Sequence, residues 1–114
     1  MAAMPRFLNM IFVYTTFPNK KEAAKICGGL IKKRLAACVN IFPIESIYFW
    51  EGKITKDKEF AAIIKTPKAQ FKKIEKFIIA HHSYDTPCVV EIPVGAVAKR
   101  YLDWANKVVE LKHK

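Results

Sequence analysis

Cysteine is scarce in this chain. Its 114 residues hold three, Cys27, Cys38 and Cys88, an odd number with no CxxC spacing, which argues against a disulfide framework and against a zinc module. Free, mostly buried thiols are the expectation. Arginine is scarcer than the charge implies: of 20 basic residues only Arg6, Arg34 and Arg100 are Arg. Base-edge and phosphate recognition favours the Arg fork, so the net charge of +10 reads as a solvating lysine surface and not as a specific nucleic-acid footprint. There is no Ser nucleophile elbow, no P-loop and no HExxH, so the familiar enzyme signatures fail. No apolar run approaches the roughly 20 residues needed to cross a bilayer. The opening MAAMPRFLNMIFVYTTF lacks a charged n-region and a small-residue cleavage site. Those two absences set the expectation of a cytoplasmic protein with no membrane partner.

What is present is the composition of a globular domain, 52% hydrophobic and 26% charged. One domain over residues 1–114 is expected, with 1–7 as a flexible extension. Leu8 to Phe17 is rich in β-branched and aromatic residues and predicts a strand. Asn19 with Glu22 forms a capping-box-like pair at the start of a helix that carries Ala23, Ile26, Cys27, Leu30 and Leu35 on one stripe. Gly28-Gly29 inside that helix implies close packing against another element. A long β segment runs from about Ala36 to Trp50, turns at Glu51-Gly52 and returns through Lys65. Thr66-Pro67 is expected to cap a second helix, with Phe71, Ile74, Phe77 and Ile78 buried and Lys68, Lys72 and Lys76 on the solvent side. Cys88 to Val94 predicts a fourth strand, and a final helix from about Ala96 buries Val97, Tyr101, Trp104, Ala105 and Val108. The order β-α-β-β-α-β plus a terminal helix gives an α+β fold, the ferredoxin-like split-βαβ sandwich on an antiparallel sheet.

The stretch SIYFWEGK (46–53) is too apolar for a strand with one wet face. Residues 36–50 would also extend about 50 Å at roughly 3.3 Å per residue, beyond the ~35 Å width of a compact domain of this size. Pro43 is expected to mark a bulge or bend. The long hairpin should overhang its own sheet and carry Tyr48, Phe49 and Trp50 past its own core, so a second copy of the chain is the simplest cover.

The stretches RLAACVNIFPIESIYFWEGKI, EFAAIIKT, HHSYDTP and EIPV resemble the CutA family of divalent-cation-tolerance proteins, over nearly the whole chain from about Phe12 to Trp104. The resemblance implies a ferredoxin-like subunit in a tight homotrimer built through the long hairpin, without enzymatic activity. It also implies a cytoplasmic link to tolerance of divalent metals, copper above all. A copper site attributed to bacterial members uses a Cys at the end of the first strand and the two His of an HHPY motif. His81 and His82 match that pair, whereas Thr15 stands at the Cys position, Ser83 replaces the usual Pro, and Cys88 follows Pro87 where Glu is usual.

Imidazole and sulfur suit copper, and Cys88 lies six residues after His82, across the Tyr84-to-Pro87 turn, so the chain could fold back and bring its thiol near. Copper or another divalent cation at His81, His82 and Cys88 is therefore one expectation. Adjacent histidines on a helix point about 100° apart, however, and the competing reading is a pair of helix-terminal residues favoured by the dipole. Trp50, Glu59, Lys65 and Tyr84 form a second constellation matching family positions, either as an interfacial ion pair with aromatic packing or as a ligand cleft between subunits. Glu59 and Lys65 are too far apart on one strand for contact, so Lys65 needs a partner from elsewhere. Two rivals on the same fold are weaker. An acylphosphatase-type hydrolase needs an Arg-containing anion cradle, and KEFAAIIK lacks the Gly and later aromatics of an RNA-recognition strand.

Overall fold

The computed structural model describes residues 9–109; the extension expected over residues 1–7 lies outside them. Strand β1 (Met10–Phe17) leads into helix α1 (Lys20–Lys32), and the long strands β2 (Cys38–Trp50) and β3 (Lys53–Pro67) form a hairpin. Helix α2 (Phe71–His81), strand β4 (Val89–Pro93) and helix α3 (Lys99–Val108) follow. The sheet runs β2-β3-β1-β4, with every neighbouring pair antiparallel.

Alternation along the strands sends Ile11, Val13 and Phe17 of β1 and Ala62 and Ile64 of β3 to one face. There they pack against Ala23, Ile26, Cys27 and Leu30 of α1 and Ile74 and Ile78 of α2. The other face is covered only at one end, where Met10 meets Ala105 and Val109, with Phe12 and Tyr101 at the margin. No other described element covers the rest of that face.

Local sequence explains most boundaries. Asn19 Oδ1 accepts the Glu22 amide at 2.8 Å and caps α1. The reciprocal limb of a capping box does not form, because the Glu22 carboxylate is taken by the Ser83 amide and hydroxyl at 2.9 and 3.0 Å. Helix α1 ends in a left-handed residue, Arg34 (φ 59°), with the Leu35 amide donating to the Leu30 carbonyl at 2.9 Å. Thr66 and Pro67 do not cap α2. Both belong to β3, a 3-10 turn over Lys68–Gln70 intervenes, and the Thr66 hydroxyl donates instead to the Leu35 carbonyl at 2.8 Å. Lys68 is likewise not a free solvent lysine, since its ammonium pairs with Glu91 at 2.6 Å.

Pro43 makes no bulge. The β2–β3 register is unbroken from Cys38↔Lys65 through Pro43↔Phe60 to Trp50↔Lys53. β2 is an edge strand, and Pro is tolerated where the missing N–H faces outward. Glu51 and Gly52 both have positive φ (48° and 76°), the geometry of a tight two-residue hairpin turn. β3 pairs with β1 only from Phe60 onward, so Ile44–Trp50 against Lys53–Glu59 is a two-stranded ribbon projecting beyond the sheet. The molecule is correspondingly long, 52 × 27 × 22 Å, with a radius of gyration of 15.3 Å against about 13 Å for a compact chain of this length.

The adjacent glycines of α1 make the helix packing testable. A Cβ on Gly29 would lie 2.7 Å from Cζ of the Phe77 ring, whereas one on Gly28 would meet nothing within 4 Å. Gly29→Ala is expected to cost about 1–3 kcal/mol by overpacking, and Gly28→Ala to add about 0.5–1 kcal/mol through helix propensity. Chemical denaturation measures both; equal effects would contradict the α1–α2 contact.

Candidate functional site

Where the ribbon leaves the sheet, the loop after α2 folds back against it. The chain exits α2 at His82, whose backbone is extended (φ −77°, ψ 144°). The His82 side chain is fully buried and stacks on Phe17 with ring centroids 5.0 Å apart. Its Nε2 lies 2.8 Å from the Thr16 carbonyl oxygen, and its Nδ1 is 3.0 Å from the Tyr84 amide nitrogen. A carbonyl only accepts and an amide only donates, so the ring is held as the neutral Nε2–H tautomer. Glu22 Oε2 lies 3.4 Å from Nδ1; that nitrogen's lone pair already accepts Tyr84 N–H, so we read the contact as proximity and not as an ion pair. His82 thus pins the loop to β1 while Glu22 pins Ser83 to α1.

Pinned in this way, Tyr84 reaches across to the ribbon. Its ring lies 4.8 Å from that of His82, and its hydroxyl donates to Glu59 Oε2 at 2.6 Å. Tyr48 donates to Asp57 on the same face of the ribbon. With Trp50 and Thr16 on one side and Asp85, Thr86 and Cys88 on the other, these residues enclose a cleft of about 530 Å³. Burial, followed by the bond to Glu59, pushes the Tyr84 phenol above its ordinary range. The bond to Asp57 comes first among the causes that raise Tyr48. Burial and then the Glu59 charge raise the Cys88 thiol, which favours its neutral form.

Of the second constellation, the fold therefore brings Trp50, Glu59 and Tyr84 together in one chain, and leaves Lys65 apart. Six residues of strand separate Lys65 from Glu59, roughly 20 Å. Lys65 is half-buried, its ammonium 5.9 Å from the Phe12 ring centroid and 5.8 Å from that of Tyr101. It pairs with no carboxylate among the described residues. Tyr48, Asp57 and Asp85 belong to the cleft but were not expected as site residues; Tyr48 and Asp85 fall within SIYFWEGK and HHSYDTP, and Asp57 within no motif. Strand alternation offered the one usable signal, since 48 and 50 share a face, as do 57 and 59.

The residues His81, His82 and Cys88 are not assembled as a ligand set. Both nitrogens of His82 are committed to the backbone. His81 Nδ1 bonds the Phe77 carbonyl at 2.8 Å, which leaves its Nε2 as the free donor atom. Cys88 lines the cleft on the open face of the sheet, whereas His82 stacks on Phe17 of the helix-covered face. Among the described residues no three His, Cys, Asp or Glu side chains are grouped to hold a metal ion. Thr15 is fully buried and its hydroxyl has no hydrogen-bond partner among the described residues. A thiol there would avoid the cost of an unsatisfied hydroxyl. In this arrangement the residues do not fit a copper ion.

A split-βαβ antiparallel sheet, with two helices on one face, a third on the other and a ribbon projecting past its edge, defines a ferredoxin-like α+β protein with a protruding hairpin. The profile of the CutA1 divalent ion tolerance protein family matches residues 11–108, and the chain belongs to that family. It is 48% identical over 99 residues to the divalent-cation tolerance protein CutA of Archaeoglobus fulgidus, covering 87% of this chain and 97% of that one. The Thermotoga maritima CutA is 42% identical over 100 residues, covering 88% and 99%. The solved structure of Archaeoglobus fulgidus CutA, described as periplasmic, superposes with a TM-score of 0.87 at 46% identity over 89% of this chain and 99% of its own. CutA1 from Oryza sativa gives 0.90 at 38% identity over 95% and 100%. No described helix is long and apolar enough to cross a membrane.

Two measurements address the site and its surroundings. Tyr84→Phe removes a donor from a buried carboxylate and should destabilise by about 1 kcal/mol in denaturant titration; no change would mean that the Tyr84–Glu59 bond is not formed in solution. Cys27, in the core under α1, has its thiol pushed by burial from 9.0 up to about 12. A pKa raised on folding contributes stability that is complete below pH 9 and lost as pH climbs toward 12. The denaturation midpoint of the parent should fall over that range more steeply than that of Cys27→Ala.

Proposed function

We propose that the chain is a single-domain, non-enzymatic protein that assembles as a homotrimer and serves in tolerance of divalent cations. The projecting ribbon carries this reading. Ile47, Phe49 and Ile54 lie on one face of it, 69, 71 and 72% exposed, where no described strand or helix covers them. A two-stranded ribbon alone is marginal in water, and an exposed apolar patch beside an open edge strand invites association with like chains. Lys65 supports the same reading: its ammonium pairs with no carboxylate among the described residues, and a neighbouring subunit can supply one. Three unpaired cysteines fit a reducing compartment such as the cytoplasm.

Copper is the cation that the family resemblance favours. At His81, His82 and Cys88 it would require the His82 ring to leave Thr16 and the loop to Cys88 to cross to the other face. We propose instead that the chain's part in cation tolerance does not depend on a preformed Cu(I) site at these residues. A second reading, favoured by the cleft beside Tyr84, is a trimer that binds a small ligand where subunits meet.

Light scattering at micromolar concentration is expected to give about three times the 13.1 kDa subunit mass, and Phe49→Asp to dissociate or precipitate the protein. A stable monomer would remove the assembly reading. Calorimetric titration with Cu(I) under reducing conditions should show no site tighter than a free thiol provides. Tight one-to-one binding abolished by Cys88→Ser and by His82→Ala would instead establish the copper set.

A further inference from the structure

The two faces of the ribbon differ in chemistry. Its apolar face carries Ile47, Phe49 and Ile54 with Lys56 and Lys58, while the opposite face carries Tyr48, Trp50, Asp57 and Glu59. This second face, closed by the pinned loop, is the cleft. In a chain of net charge +10, the ionisable residues lining it among the described residues are three carboxylates, two phenols and a thiol, with no described Lys, Arg or His. The nearest lysine on that face, Lys53, sits across from Trp50 at the tip and outside the lining.

We propose that this cleft binds a small organic cation, an ammonium or guanidinium group on a short apolar body. This rests on the second reading above, that the cleft takes a ligand, and adds the ligand's class. Trp50, Tyr48 and Tyr84 line the cleft; the face of an aromatic ring attracts a cation, and ring carbons cover an apolar body. The phenols of Tyr48 and Tyr84 each occupy one oxygen of Asp57 and Glu59. A carboxylate has about four acceptor sites, so both anions keep capacity for a ligand while being held in place. Asp85 makes no hydrogen bond or ion pair with any described residue, leaving its whole charge at the rim.

A bare metal ion is the poorer fit. The carboxylates are not clustered closely enough with the thiol to form a three-donor set among the described residues. The Cys88 thiol, kept neutral by burial, is a weak donor for soft ions. A volume of about 530 Å³ suits an organic ligand of modest size.

The test uses the full chain with Trp104→Phe, so that Trp50 is the sole tryptophan reporter. It is titrated with benzyltrimethylammonium, benzylammonium, benzyl alcohol, benzoate and calcium chloride. Saturable quenching by both cations is expected, with benzyl alcohol and benzoate weaker by roughly tenfold or more. Asp85→Asn and Glu59→Gln, which keep side-chain size, the second keeping an acceptor for Tyr84 as well, should each weaken the cations by roughly three- to tenfold. Equal binding of the neutral or anionic analogue would overturn the proposal, as would calcium binding without organic-cation binding, or no saturable binding at all. Light scattering on the same samples separates the readings: an intact trimer that ignores the cations removes this proposal alone, and a monomer that binds them removes the assembly alone.

Discussion

The unbroken ladder between β2 and β3 is the constraint on which the other features depend. Because no residue is inserted between Cys38↔Lys65 and Trp50↔Lys53, strict alternation persists past the end of the sheet, and each face of the ribbon keeps one set of side chains. A bulge at Pro43 would have exchanged the faces, turning Tyr48 and Trp50 toward the helix side and Phe49 toward the cleft. Pro43 is accommodated because β2 is an edge, and the same edge position leaves the ribbon free for another chain.

From that alternation the division of labour follows. One face of the ribbon is apolar and is covered by none of the described residues. The other is aromatic and acidic, and becomes a cleft only because the loop over residues 82–88 is pressed against it. His82, stacked on Phe17 and bonded at both nitrogens, and Glu22, bonded twice to Ser83, are the two anchors of that loop. Tyr84 then spans from the helix-covered side of the sheet end to Glu59 on the open side. His82 is thus already employed in positioning, which is why it and His81 make an unsuitable ligand pair in this geometry.

Much of the fold was legible in the sequence, because local signals and tertiary packing agree. Asn19 caps α1, Gly29 marks the approach of Phe77, and SIYFWEGK announces an apolar ribbon closed by Glu51-Gly52. The misreadings came where two partners competed for one group. Thr66 looked like a helix cap but found the Leu35 carbonyl, and Glu22 looked like half of a capping box but found Ser83. The site was less legible. Trp50, Glu59 and Tyr84 meet, yet whether a loop passes in front of or behind a sheet leaves no local trace. That choice separates Cys88 from His82, although they are close in sequence. Lys65, on the same strand as Glu59, belongs to a different part of the surface.

The central claim is that the ribbon is ordered by association and not by its own chain. Hydrogen–deuterium exchange of the backbone amides between Ile47 and Ile54, followed at micromolar concentration and again after dilution below the dissociation point, tests it most directly. Exchange slowed at least about a hundredfold in the concentrated sample, and lost on dilution while the β1 amides stay protected, is the predicted result. Tip amides that exchange at the solvent rate at both concentrations would contradict it.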